Sequence, residues 1–275
     1  MNYVRGGLPF YPSLAHLADY VESLPANGSA DHKEYEWSLG ADTAEALRLA
    51  REGWPLGAKL ASEKATAIAD RIVGAHSLAQ TFVTGYDVMG AAYDAGAVAL
   101  GMPEAWGVLN AEESKRAIRI VLSLTASGGI GAEVMQRRGI AVAALALVFV
   151  AKGYPVTIDA MIGSAGADNK AEQLIEARSF VRLADASTGS QLDLDRIAFG
   201  LGHPAIYRKL FAAAQCGHRF SYSGSYWGRG TIHNNIAPLD SYDLLFGGMH
   251  LRDVERWQDG GENWILQEYL KQTGA

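Results

Sequence analysis

The segment Arg119–Met161 constrains the fold most. Ile118, Ile120, Val121, Leu122 and Leu124 form a nearly continuous apolar strand, a loop of mostly small residues spans Ser123 to Gly129, and an Ala/Val-rich helix runs from about Gly131 to Lys152. Gly153 accepts the left-handed conformation that ends such a helix, and Val156, Ile158, Met161 and Ile162 give the next strand. A strand that is apolar along its whole length is buried on both faces, and parallel neighbours need a crossover, usually helical. The segment therefore predicts an α/β protein with a Rossmann-like open sheet, mostly parallel with one antiparallel edge strand, flanked by helices.

The rest of residues 117–275 extends that pattern. A polar turn around Gly166 to Asn169 and an extended stretch, Ala177–Leu183, predict an antiparallel edge hairpin. Leu192, Leu194, Ile197, Ala198 and Leu201 carry helical periodicity, broken at His203-Pro204 and resumed through Ile206, Leu210 and Phe211. Proline lacks an amide donor and disfavours helix in the residue before it, so two helices or one kinked helix both fit. Asp243–Phe246 reads as a short strand and Trp264–Leu270 as a C-terminal helix. Residues 1–116 differ in texture and read as an irregular, mainly helical N-terminal extension. Asp42 or Thr43 caps a helix closed by Gly53 and Pro55, a second helix is expected over Ser62–Val73, and the small residues of Tyr86–Gly101 allow close packing on the second half.

Composition bounds the function. At 275 residues and 49% hydrophobic content the chain can bury a large core, and its net charge of -6 argues against general attraction to nucleic acid or anionic membrane. Cys216 is the single cysteine, which excludes an internal disulfide and a cysteine-based zinc cluster. The apolar run Ile140–Ala151 is about a dozen residues long against the roughly 20 needed to cross a bilayer, so no membrane span is expected. Met1–Pro9 lacks the charged start and apolar block of a signal peptide, so a cytoplasmic location is expected, without secretion by that route.

The order strand, loop, helix, strand, hairpin strand, loop with Thr, helix, late strand and final helix resembles the von Willebrand factor A-like fold over residues 117–275. In that family an Asp-x-Ser-x-Ser loop after the first strand holds Mg²⁺ or Mn²⁺, because a hard cation needs carboxylate and oxygen ligands. Here Ser123, Thr125 and Ser127 occupy those positions, Thr188 is the candidate for the family's later loop threonine, and Phe246-Gly247-Gly248 stands where a late Asp completes the site. Both acidic anchors are missing, so the resemblance implies a domain without a metal or cofactor, unless Asp159 or Asp193 approaches the loop. A simpler reading is that the three hydroxyls satisfy backbone groups at a strand end. A third takes Gly129 and Gly131 as a dinucleotide loop at a helix N-terminus, with Asp159 on the ribose, although Val134 replaces the last glycine of that fingerprint.

A second candidate region, Gly217–Gly230, mixes Arg219, Tyr222, Tyr226, Trp227 and Arg229 with flexible glycines. Such side chains build protein-binding hot spots and can also stack bases, or fold back on themselves as a surface loop. His203, His218, His233 and His250 stand in no ligand-spaced pair, and His203 reads as a helix-break residue bonded to backbone. No Gly-x-Ser-x-Gly elbow supports a hydrolase, and Asp193 and Asp195 suit a helix N-terminus. Trp54-Pro55 after a short helix, the Arg138-Gly139 helix, Leu192-Asp193-Leu194-Asp195-Arg196 and His203-Pro204 together resemble uncharacterised proteins met in bacteriophage and related mobile genomes. The resulting expectation is a non-enzymatic protein-interaction or scaffold protein, a virion component or assembly factor. It would bind protein partners, itself included, through Ser123, Thr125, Ser127, Gly129, Thr188 and the aromatic loop. The alternative is a nucleotide-binding enzyme using the Ser127–Gly131 loop.

Overall fold

The computed structural model describes residues 3–5, 8–25, 35–75, 83–87, 92–93, 106–109, 117–126, 129–167, 174–188, 192–217, 242–249 and 261–273. In chain order these form β1 (Tyr3–Arg5), β2 (Leu8–Tyr11), α1 (Leu14–Ser23), a 3₁₀ turn (Tyr35–Ser38), α2 (Thr43–Glu52), α3 (Pro55–Ala75), β3 (Val83–Asp87), β4 (Ala92–Tyr93) and β5 (Trp106–Leu109). There follow β6 (Ile118–Ser123), α4 (Ala132–Ala151), β7 (Val156–Ala167), β8 (Leu174–Ala184), a 3₁₀ turn (Ala186–Thr188), α5 (Leu194–Gly202), a π-helical turn (Ile206–Phe211), α6 (Ala212–Gly217), β9 (Leu244–Phe246) and α7 (Glu262–Thr273).

Among the described residues the main sheet has six strands in the order β1-β2-β8-β7-β6-β9, and β3-β5-β4 form a separate small antiparallel sheet. In the main sheet β6 pairs in parallel with both β7 and β9, β2 pairs in parallel with β8, and β7/β8 and β1/β2 are antiparallel. The protein is thus a mixed α/β sheet flanked by helices. The expected hairpin is β7–β8, but β8 is not its edge: Phe10 and Tyr11 of β2 pair with Phe180 and Val181. The portion expected to be mainly helical therefore supplies two strands of this sheet. Those strands are only three and four residues long, and β2 lies about 170 residues from β8, so local periodicity carries little trace of them.

Alternation along each strand separates two faces. Ile120, Leu122, Ile158, Ala160, Ile162 and Val181 face one core, shared with α1 to α5 and α7. Val121, Met161 and Phe180 face the other, with Phe10, Tyr242 and Leu245 packed against them. Helix α4 has 20 residues and is apolar enough by composition to cross a membrane, yet 67% of that stretch is buried within the protein. It crosses α5 with backbones almost touching, since a Cβ on Gly139 would lie 1.9 Å from the Leu201 carbonyl oxygen. The helix expected over Gly131–Lys152 is observed with its ends one residue inside those bounds.

The N-terminal helices are fastened to α5 by backbone contacts. Asp42 caps α2 by accepting from the Glu45 amide at 2.7 Å, and Gly53 ends it at φ 92°. The chain then turns so that the Trp54 amide donates to the Asp195 carbonyl at 2.9 Å, while Arg196 Nε donates to the Arg51 carbonyl at 2.9 Å. Pro55 opens α3 rather than merely ending α2, because a helix's first residue has no use for the amide that proline lacks. For that reason the helix expected at Ser62 begins seven residues earlier.

Candidate functional site

Strand β6 lies at the sheet's topological switch point. From β6 the chain passes to β7 on one side, continues to β8, and returns much later to β9 on the other side. In open α/β sheets the crevice outside the C-terminal ends of such a strand pair is where ligands bind. Here the ends of β6 and β9 are Ser123 and Phe246, offset in register so that Leu122 faces Phe246.

Arg138 fills that crevice. It projects from α4 on the stripe that also carries Met135 and Val142, and it is 2% exposed. Its Nη1 donates to the Ser123 carbonyl at 2.6 Å, and its Nη2 donates to the carbonyls of Phe246, at 3.2 Å, and Gly247. Trp264 of α7 stands 5.8 Å from the guanidinium carbon, with Phe246 packed against the same indole. Backbone oxygens at the ends of parallel strands would otherwise be buried acceptors without donors, which is costly. The guanidinium satisfies them and places a permanent positive charge where a cation-binding loop would hold its metal. A second cation beside it would be repelled.

The Ser123 hydroxyl serves the backbone. Ser123 Oγ accepts from the Thr125 amide at 3.4 Å, and Ser123 and Thr125 are 3% and 0% exposed. Pairing continues past the strand ends: the Leu124 amide donates to Met161, the Met249 amide donates to Thr125, and Ala126 bridges to Met249. Ser127 lies outside the described residues. Gly129 is exposed in the turn before α4, and Gly131 caps that helix with open space around it and no side-chain hydrogen bond.

Thr188 is not brought to this end. Strand β8 runs antiparallel to β7, so it finishes beside Ile158, and the Ala186 amide donates to Thr157 Oγ1 at 3.1 Å. The turn Ala186–Thr188 therefore sits at the N-terminal end of β7, opposite Ser123, which pairs with Met161. The preceding Asp185 is held below the ordinary carboxylate range, first by the Ser187 hydroxyl and also by Arg182. Arg219, Tyr222, Tyr226, Trp227 and Arg229 lie outside the described residues.

Neither carboxylate considered for the loop reaches it. Asp159 is 0% exposed on the Val121 face of β7, where Arg119 Nη2 lies 2.7 Å from Oδ2 and Arg182 Nε lies 2.5 Å from Oδ1. Asp193 caps α5, accepting from the Arg196 amide at 3.1 Å. The ribose role for Asp159 fails for the same reason: both of its oxygens are engaged by arginines within the sheet. Among the described residues, no group of three or more His, Cys, Asp and Glu side chains could hold a metal ion.

What joins the switch point instead is the break after α5. Leu201, Gly202, His203, Pro204, Ile206 and Tyr207 line a small cavity with Leu124, Met135, Arg138 and Met249. Its volume, about 10 Å³, suits a single water rather than a substrate. His203 is packed edge-on against Trp54 with centroids 4.9 Å apart, and its Nδ1 accepts from the Ala205 amide at 3.2 Å, as expected of a helix-break residue. Burial lowers its pKa to about 4, with Glu45 opposing the shift, so the ring is neutral at neutral pH. The π-helical turn then sets Arg208 over Trp37 at 4.4 Å. The break itself was legible at His203-Pro204; what sequence reasoning missed is Arg138 as the ligand of the strand ends and the place of the break beside it. For Arg138 the signal was its place three residues after Met135 and four before Val142, on the stripe that must face the core.

No curated protein and no solved structure matches this chain. A family model described as "Domain of unknown function (DUF7192)" matches residues 4–275, nearly the whole of it, and the chain belongs to that family.

Proposed function

We propose that this protein is a non-enzymatic interaction or scaffold module: a von Willebrand A-like domain whose metal site has been replaced by an internal cation, and whose partner is another protein. The observation that carries this reading is the Arg138 guanidinium bound to the Ser123, Phe246 and Gly247 carbonyls. A crevice that binds a metal or a nucleotide is open at the switch point; this one is filled by the protein's own side chain. The order β8-β7-β6-β9, with β8 antiparallel, supports the resemblance in strand arrangement. The resemblance to phage-borne proteins adds the proposal that the partner belongs to a virion or its assembly apparatus.

The nucleotide-binding alternative gains no support from the geometry. Asp159 is committed to two arginines, and the cavity at the switch point admits one water. A thermal-unfolding series with NAD and ATP, run beside native mass measurement of the chain at increasing concentration, tests the reading. Unchanged unfolding with either nucleotide is the expected result. Stabilisation that grows with nucleotide concentration would overturn it, because a ligand selective for the folded state raises stability by mass action.

A further inference from the structure

Among the described residues β9 is the last strand at its end of the sheet, and it carries a side-chain substitute for a neighbouring strand. In the parallel pairing with β6, Leu245 stands between Leu244 and Phe246 with its own backbone groups turned toward α7. The Leu245 amide donates to Gln272 Oε1 at 2.7 Å, and Gln272 Nε2 donates to the Leu245 carbonyl at 2.9 Å. A primary amide thus makes the two bonds that a peptide group of another strand would make. Gln272 arrives there because it lies seven residues, or two turns, after the fully buried Ile265, on the face that docks α7. Tyr269, packed 5.7 Å from Phe149, fixes the same face.

Edge strands are usually blunted by charge, proline or a bulge, since unpaired backbone groups invite another chain. The triplet Leu244-Leu245-Phe246 has no charge and no proline. It is also self-complementary: in an antiparallel hydrogen-bonded pair two residues exchange both N–H···O bonds, so Leu245 of one copy can pair with Leu245 of another about a two-fold axis. We propose that Gln272 is a latch that keeps a second copy of this chain from adding along β9, and that release of the last turn of α7 converts the edge into a self-association site. The inference concerns the side of the sheet rather than its Ser123 end, and it stands independently of the function proposed above.

The test uses the full chain, with sedimentation velocity over about a hundredfold range of concentration, since association through an open edge follows mass action. Gln272→Leu is expected to form a species of twice the wild-type mass as concentration rises. Gln272→Glu, which keeps the acceptor and sets like charges face to face, is expected to stay at the wild-type mass. A folded Gln272→Leu chain that sediments like wild type throughout would overturn the proposal, as would equal association of both variants. Should Gln272→Leu fail to fold, hydrogen exchange of wild type still decides. The Leu245 amide is expected to exchange at least about tenfold more slowly than an open amide, with protection lost together with that of the last turn of α7. An unprotected Leu245 amide would overturn the latch.

Discussion

Arg138 Nη1 donates a 2.6 Å hydrogen bond to the carbonyl oxygen of Ser123, so the helix after β6 reaches back to close the strand that precedes it. The same side chain reaches Phe246 and Gly247, tying β6, β9 and α4 together at one buried charge. Arg138→Met keeps the apolar stem and removes the donors, leaving carbonyls of three residues short of a partner. The expected loss is on the order of 3 kcal/mol or more, given ~1–3 kcal/mol for each buried group left unsatisfied. Arg138→Lys should recover only part, because an ammonium lacks the planar fork that spans separate acceptors. Urea unfolding of the two variants measures the difference.

Asp159 is a second internal charge, shared by Arg119 on β6 and Arg182 on β8. Asp159→Asn removes the fully buried charge that Arg119 and Arg182 share, while Asp185 still faces Arg182 at 2.6 Å, and the expected cost is on the order of 3 kcal/mol. Burial shields the cluster from ions, so the loss should be nearly the same at low and high salt. Exposed pairs such as Arg51 with Glu22 behave differently: Arg51→Ala should cost no more than about 1 kcal/mol, and less as salt rises.

His203 makes stability depend on pH in a definite direction. The folded protein holds the ring neutral with a pKa of about 4, whereas the unfolded chain protonates near its ordinary 6.5. The unfolded state therefore binds more protons in this window, and stability falls as pH drops from about 6.5 to about 4 before levelling off. The whole effect is on the order of 3 kcal/mol. His203→Asn keeps an acceptor for the Ala205 amide and cannot titrate. Subtracting its unfolding free energies from those of wild type at each pH isolates the histidine from the carboxylates that protonate nearby.

Two glycines on α4 should respond with opposite signs. At Gly139 a methyl group would collide with the Leu201 backbone, so Gly139→Ala must push α4 and α5 apart. That cost should exceed the gain of about 1 kcal/mol that alanine brings to a helix interior, giving net destabilisation. Gly131 has φ -67° and ψ 156°, the extended conformation of an N-cap, and open space around it. Gly131→Ser adds the missing cap and should stabilise by a few tenths of a kcal/mol. Thermal unfolding of the two single variants reads both signs.

The parts of the fold that local patterns specify were legible in the sequence. The β6–α4–β7 crossover follows from an apolar strand, an apolar helix and a glycine terminator, and α2 follows from Asp42 and Gly53. The pairing of β2 with β8 was not legible, because what stabilises Phe10 beside Phe180 is a tertiary neighbour rather than a local period. Ser123 and Thr125 lie at the strand end where the apolar run breaks off, and the Ser123 hydroxyl meets a backbone amide there, as one reading of the sequence has it. Thr188 was assigned by its order in the chain, and the antiparallel sense of β8 carries it to the other end of the sheet. Arg138 was visible as a residue but not as a ligand, since the acceptors at Phe246 and Gly247 arrive only with β9, from more than a hundred positions away.

In the function proposed above, the Arg138 guanidinium takes the place of a metal ion at the switch point. Titration of the wild-type chain into Mn²⁺, followed by the electron paramagnetic resonance signal of the free ion, is the decisive measurement. The free-ion signal is expected to stay at its starting intensity across the titration. A signal that disappears at one ion per chain, and returns in Ser123→Ala, would contradict it.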